Sequence, residues 1–161
     1  MSAFKAYDIR GIYNKDFNKD TVYRIGYFLP TLLKSDVVLV GRDVRTTSNE
    51  IFTALAQGIN DSGADVWDIG LATTPMVYYC TVHFHVGASV QITASHNPAI
   101  YNGLKVSRSG AIPVGSDSGL KELEQMVKEG AIVVAQKRGA IIEKDGKSPY
   151  LAFLKKFDLD L

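Results

Sequence analysis

The chain has 161 residues, of which 46% are hydrophobic and 22% charged, and a formal net charge of +1. That length buries one ordinary core, and that composition excludes a disordered chain. A nearly neutral balance supplies no global field for nucleic acid or an acidic membrane surface, so any anion site has to be built locally.

Residues 4–7 are predicted as the first buried strand. Val22, Ile25, Leu29, Leu32 and Leu33 then recur at helical spacing behind Asp20, the expected N-cap, and Pro30 is expected to kink or shorten that helix. Residues 37–40 form a second apolar run. Ile51, Phe52, Leu55, Ala56 and Ile59 make a second helical stripe, opened by Thr47 or Ser48 and closed near Gly63. Residues 64–69 are a third strand, and Thr74-Pro75 opens a third helix with proline at its first turn. The run 88–92 is a fourth strand. Strands alternating with helices of this length predict an α/β protein, a layered α/β/α domain with a mixed central sheet.

Beyond Lys105 the pattern changes. Residues 114–127 suggest another helix, capped by Ser116 or Asp117, with Leu120, Leu123 and Val127 inward. Two short β-like runs, 132–135 and 140–143, suggest a hairpin or edge strands. Ser148-Pro149 starts a last helix carrying Tyr150, Leu151, Phe153, Leu154 and Phe157 on more than one face. It either docks on this same core or opens a further domain. The expected division is 1–147 for the main domain and 148–161 for a linker helix.

Cys80 stands alone, so it forms no internal disulfide, and its apolar neighbours mark it as a small buried hydrophobe. The first ten residues carry charge and no apolar core, and no run reaches the ~20 residues needed to cross a bilayer. A cytoplasmic protein, with neither membrane nor nucleic acid as partner, is the expectation.

The most informative segment is Thr93-Ala94-Ser95-His96-Asn97-Pro98. A serine, an imidazole and a carboxamide follow a strand directly, and the proline keeps the segment extended. Open α/β sheets bind ligands in such loops. A phosphorylated Ser95 would carry about −1.5 to −2 charge and need cations or donors; His96, Lys105 and Arg10 are the candidates, with Asn97 orienting by hydrogen bonding. Elsewhere the bland readings hold. His83 and His85 point to different faces of a helix and do not suggest a metal site. Asp61, Asp65 and Asp68 read as solvated, and Trp67 as packing. Arg42, Asp43 and Arg45 read first as a salt-bridged corner and only second as phosphate contacts. The glycines match neither a P-loop nor a dinucleotide fingerprint, and no G-x-S-x-G elbow surrounds Ser95.

The hexapeptide and three further segments together resemble the α-D-phosphohexomutases, in the phosphomannomutase/phosphoglucomutase branch. The segments are Phe4-Lys5-Ala6-Tyr7-Asp8-Ile9-Arg10-Gly11, Gly41-Arg42-Asp43-Val44-Arg45 and Tyr101-Asn102-Gly103-Leu104-Lys105. The resemblance covers roughly residues 4–130 and implies an N-terminal domain in which Ser95 is a phosphoserine. It implies transfer of phosphate to a hexose 1- or 6-phosphate, a bisphosphorylated sugar intermediate, and return of the other phosphate. Arg10 and Lys105 then neutralise charge, Lys105 or His96 moves protons, and Tyr7 and Asn97 contact substrate. The implied cofactor is Mg²⁺, held by the phosphate on Ser95 and by an Asp-Gly-Asp-x-Asp loop that does not occur in these 161 residues. The sugar-recognition Gly-Glu-x-Ser-Gly-His and phosphate-binding Arg-x-Ser-Gly-Thr segments do not occur either. The expectation is therefore one domain of a four-domain mutase, inactive alone and needing its missing domains. The alternative is a non-catalytic phosphosugar-binding or interaction module.

Overall fold

The computed structural model describes residues 3–157. In chain order the elements are β1 (Ile9–Ile12), α1 (Lys19–Leu33), β2 (Val37–Arg42), α2 (Ser48–Asp61), β3 (Asp65–Leu71), α3 (Thr74–His83) and β4 (Ala88–Ile92). They continue with β5 (Tyr101–Arg108), β6 (Ile112–Pro113), α4 (Leu120–Glu129), β7 (Ile141–Glu143) and α5 (Lys147–Leu154). The strands form one sheet in the order β1-β5-β4-β2-β3-β7, with β6 paired to β5. β2, β3, β4 and β7 run parallel, whereas β5 is antiparallel to both β4 and β1. The sheet is mixed and the layers are α/β/α, as the sequence predicts.

Alternation along the strands decides what each face meets. Val38, Val40, Val90, Ile92 and Leu104 face the larger core, which α1, α2 and α4 complete with Ile25, Leu29, Leu55, Ile59 and Leu123. Leu39 and Ile69 face a smaller core closed by Met76, Val77 and Cys80 of α3. The central strands are buried on both sides, which is why they read as unbroken apolar runs.

α1 and α2 pack through glycine. A Cβ on Gly26 would lie 2.2 Å from the Leu55 carbonyl oxygen, and one on Gly58 would lie 2.0 Å from that of Tyr23. The two backbones touch, and this contact seats α2 with its N-terminus at the end of β2.

Several boundaries differ from expectation. Residues 4–7 are not a strand: Lys5 N–H bonds to Asp8 O, closing a turn that joins a single bridge at Phe4 to the real strand, Ile9–Ile12. Asn18, not Asp20, caps α1, its side chain accepting from Thr21 N–H. Pro30 does not break α1, because it sits within one turn of the end, where Lys34 in the left-handed region closes the helix onto the Pro30 and Thr31 carbonyls. Thr73 caps α3. The 114–127 segment divides into a 3₁₀ turn (Ser116–Ser118) and α4, which starts after Gly119 at φ +143°. No hairpin forms from 132–143, since Ile141–Glu143 pairs in parallel with β3 and 132–135 is not a strand. β5, whose polar Asn102 and Lys105 hide its pattern, is the sheet's longest strand.

Asp61 and Asp68 are not solvated. Asp61 is buried, accepts from the Tyr23 hydroxyl and pairs with Arg138, and Asp68 pairs with Arg42 at 2.7 Å. Asp65 accepts from Ala140 N–H and so pins β7 to β3. Along α5, Tyr150 and Phe153 pack on Tyr79 of α3, with ring centroids 5.5 and 4.8 Å away, while Leu151, Leu154 and the following Phe157 stay exposed. Among the described residues no helix is long and apolar enough to cross a membrane.

Two measurements check this packing. Gly58→Ala should destabilise the protein by about 1–3 kcal/mol in chemical denaturation, because backbone cannot yield to the new methyl as a side chain would. Cys80 is buried, and burial followed by the charge of Asp145 pushes its thiol up to about 11. Iodoacetamide at pH 8 should therefore leave it unmodified until denaturant is added.

Candidate active site

The loops after β2 and β4 meet at the end of adjacent parallel strands from which the chain departs in opposite directions. From β2 it goes through α2 to β3; from β4 it goes to β5 on the other side. Such a switch point leaves a crevice. Its floor is tied together by Asp43 N–H donating to Ile92 O at 3.0 Å.

Ser95 stands on this crevice, exposed, with φ at +55°. That left-handed conformation is costly for a residue with a Cβ and persists only where neighbours impose it. Three local bonds do so in part. Ser95 N–H donates to Thr93 Oγ1 at 2.9 Å, and both Asn97 N–H and Asn97 Nδ2 donate to Ala94 O, at 3.1 and 2.9 Å. The Ser95 hydroxyl points outward, 3.4 Å from His96 Nδ1.

The strongest restraint comes from the β2 loop. Arg45 reaches across and donates from Nη2 to Ser95 O and Asn97 O (2.9 and 2.7 Å), and from Nη1 to Pro98 O and Tyr101 O (2.8 and 2.9 Å). Its Nε donates to Asp43 Oδ2 at 3.1 Å. Asp43 Oδ1 in turn accepts from Arg45 N–H and from the Ser48 hydroxyl at 2.6 Å. Ser48 accepts from Asn102 Nδ2 at 3.0 Å, and Asn102 also reaches Thr47 Oγ1. Asn102 and Ser48 are buried. One polar chain thus joins the start of β5, the start of α2, the end of β2 and the Ser95 loop.

Arg10 and Lys105 belong to the other expected part of the site. Arg10 pairs with Gly103 on β5, and Gly103 O accepts from Thr93 N–H, so Arg10 stands level with the residue two before Ser95. Gly103 is obligatory there, since a Cβ would lie 2.2 Å from Ile9 O and 3.1 Å from Thr93 O. Lys105 pairs with Gln91. By alternation Arg10, Thr93 and Lys105 share one sheet face, the face on which α3 packs over β4, β2 and β3. The Arg10 guanidinium lies 3.8 Å from Asp8, and neither Arg10 nor Lys105 bonds to the Ser95 side chain.

Tyr7 is exposed at the tip of the 5–8 turn, in a pocket with Pro113 and Ser116 separate from the one that Ser95 shares with Asp43 and Arg45. Asn97 is bound into its own loop. Of the six expected residues, Ser95, His96 and Asn97 form one turn, Arg10 and Lys105 share the adjoining face, and Tyr7 stands apart. The sequence reading of Arg45 as part of a salt-bridged corner holds in its pair with Asp43, and Ser48 does open α2, but neither they nor Asn102 read from sequence as bonded to the Ser95 loop. The Gly-Arg-Asp-Val-Arg run signalled a charged corner, but nothing in the sequence shows that Arg45 spans 50 residues to Ser95.

No group of three or more His, Cys, Asp or Glu side chains able to hold a metal ion occurs among the described residues. Asp43, the carboxylate beside Ser95, has both oxygens engaged by Arg45 and Ser48. These residues do not fit a resident Mg²⁺ on their own.

The sequence of residues 1–132 matches the family model described as "Phosphoglucomutase/phosphomannomutase, alpha/beta/alpha domain I". The chain is 44% identical over 129 residues to a phosphomannomutase from Klebsiella pneumoniae, covering 80% of this chain and 82% of that one. It is also 44% identical over 129 residues to a phosphomannomutase from Escherichia coli, covering 80% of this chain but 28% of the relative. Among solved structures, a phosphoglucomutase/phosphomannomutase family protein from Burkholderia thailandensis superposes with a TM-score of 0.80 at 30% identity, over 92% of this chain and 34% of that one.

The Thr93 contact is testable without any ligand. Thr93→Val should cost about 1 kcal/mol of local order, read as faster amide exchange at Ser95, whereas Thr93→Ser should keep the acceptor and the protection.

Proposed function

The chain belongs to the phosphoglucomutase/phosphomannomutase family and contains its domain I, and from that premise we propose that Ser95 carries the phosphate in an interconversion of hexose 1-phosphate and hexose 6-phosphate. The carrying observation is the contrast within Ser95. Its main chain is bonded on both sides, while its exposed hydroxyl has only the His96 imidazole, at 3.4 Å, as a side-chain partner among the described residues. A group that must accept and release phosphate in turn needs a fixed origin and an open approach.

In the forward half-reaction the Oγ–P bond of phosphorylated Ser95 breaks and a sugar hydroxyl takes the phosphoryl group, giving a bisphosphorylated hexose. The hydroxyl proton leaves to a base, for which His96 and Lys105 are the candidates. The bisphosphate then presents its other phosphate to Ser95, and the serine ends as it began. Phosphoryl transfer is mainly a matter of position and charge neutralisation, and Arg10 and Lys105 on the uncovered sheet face serve the second need. Tyr7 lines the sugar path farther from the serine. Asn97, its amide group bound to Ala94 O, shapes the loop more than it recognises the sugar.

Net mutase turnover is proposed for the whole enzyme, since this chain spans 28% of the Escherichia coli relative and 34% of the Burkholderia chain. The test uses the half-reaction. Incubated with glucose 1,6-bisphosphate in buffer containing Mg²⁺, the chain should gain one phosphate, mapped by peptide mass spectrometry to Ser95 and absent from Ser95→Ala. Phosphate mapping mainly to Ser107, Ser109 or Ser118 would overturn the assignment.

A further inference from the structure

Arg45 is the cation nearest to Ser95 by bonding, and a cation beside a phosphate carrier invites the reading that it binds phosphate. Its donors decide otherwise. A guanidinium has five N–H groups. In this site Nε–H goes to Asp43 Oδ2, the two hydrogens on Nη1 go to Pro98 O and Tyr101 O, and the two on Nη2 go to Ser95 O and Asn97 O. Every donor has a protein acceptor at 2.7–3.1 Å, and the charge is already paired. No donor remains for a phosphate oxygen.

We propose that Arg45 is a positioning residue. It holds the Ser95 loop in its reactive shape by collecting four outward carbonyls, and it does not itself contact phosphate. The proposal rests on the reading of Ser95 as phosphoacceptor only for its consequence in catalysis, not for the clamp itself. Ser95, Asn97 and Pro98 lie between β4 and β5, outside the ladder; Pro98 O also accepts from Tyr101 N–H, and carbonyls left short of partners would favour a looser loop open to water. Arg45 supplies the partners from outside the loop, which is how a non-glycine residue is kept at φ +55°. A lysine cannot replace it. Its three donors radiate from one point, and it has no planar fork to serve four acceptors and a carboxylate together.

The experiment compares the wild-type chain with Arg45→Lys, which keeps the charge. Hydrogen exchange followed by mass spectrometry reads the loop directly. Protection over residues 94–101 should fall about tenfold, as losing one or two net hydrogen bonds requires, with the remaining sheet unchanged. The rate of Ser95 phosphorylation by glucose 1,6-bisphosphate should fall by about 100-fold through misplacement, with the half-saturating bisphosphate concentration unchanged. Exchange over 94–101 equal to wild type would overturn the clamp. A loss that appears as weaker half-saturation, with the loop still protected, would assign Arg45 to phosphate binding instead. If Arg45→Lys does not fold, Asp43→Asn carries the same test, since it frees Nε and should raise exchange in the same segment. Should the wild-type chain take no phosphate on Ser95, the phosphoacceptor reading fails, and the exchange comparison alone still decides the clamp.

Discussion

The structure around Ser95 depends on one saturated guanidinium. Three carbonyls of the β4–β5 connection and that of Tyr101, the first residue of β5, all accept from Arg45. Its own position is secured by Asp43, and Asp43 by Ser48, whose hydroxyl is in turn met by Asn102 at the start of β5. The chain of bonds returns to the strand that the loop feeds. A buried polar network of this kind is favourable only when every member is satisfied, and along this path each one is. Its effect is to tie the ends of two parallel strands, a helix start and a loop into one rigid piece under an exposed hydroxyl.

The second constraint is unequal cover on the two faces of the sheet. α1, α2 and α4 close one face from β1 across to β3, with the glycine contacts of Gly26 and Gly58 bringing α1 and α2 to touching distance. On the other face α3 packs over β4, β2 and β3. The face of β1 and β5 beside it holds Arg10 and Lys105 where a core would otherwise demand apolar residues. Cationic side chains on a partly open sheet face keep their hydration until an anion replaces it, which suits the phosphate binding and release proposed for this surface.

Much of this was legible in the residues. β2 and β4 read as strands because burial on both faces removes any alternation, and α2 read as a helix because its stripe is regular. Ser95, His96 and Asn97 were legible as a candidate site because the run after the strand resembles a family motif and comes with three further matching segments. β1 was misplaced by several residues, because Phe4 to Tyr7 looks apolar while the pairing that makes a strand is with Leu104, about a hundred residues away. β5 went unseen for the same reason: Asn102 and Lys105 are polar in sequence, and only the network at Ser48 and the open sheet face give them places.

By itself the sequence determined the layered architecture, the family and the candidate segment, because hydrophobic period, turn residues and contiguous motifs are local properties of a chain. Tertiary structure alone decided what holds that segment. Local spacing cannot show that Asp61 is buried against Tyr23 and Arg138, that Tyr7 lies in a pocket apart from Ser95, or that Arg45 spends all five donors on main chain and carboxylate. Those facts depend on which distant groups folding brings within 3 Å of one another, and a side chain's role at a site is set by the donors and acceptors left over once those bonds are made.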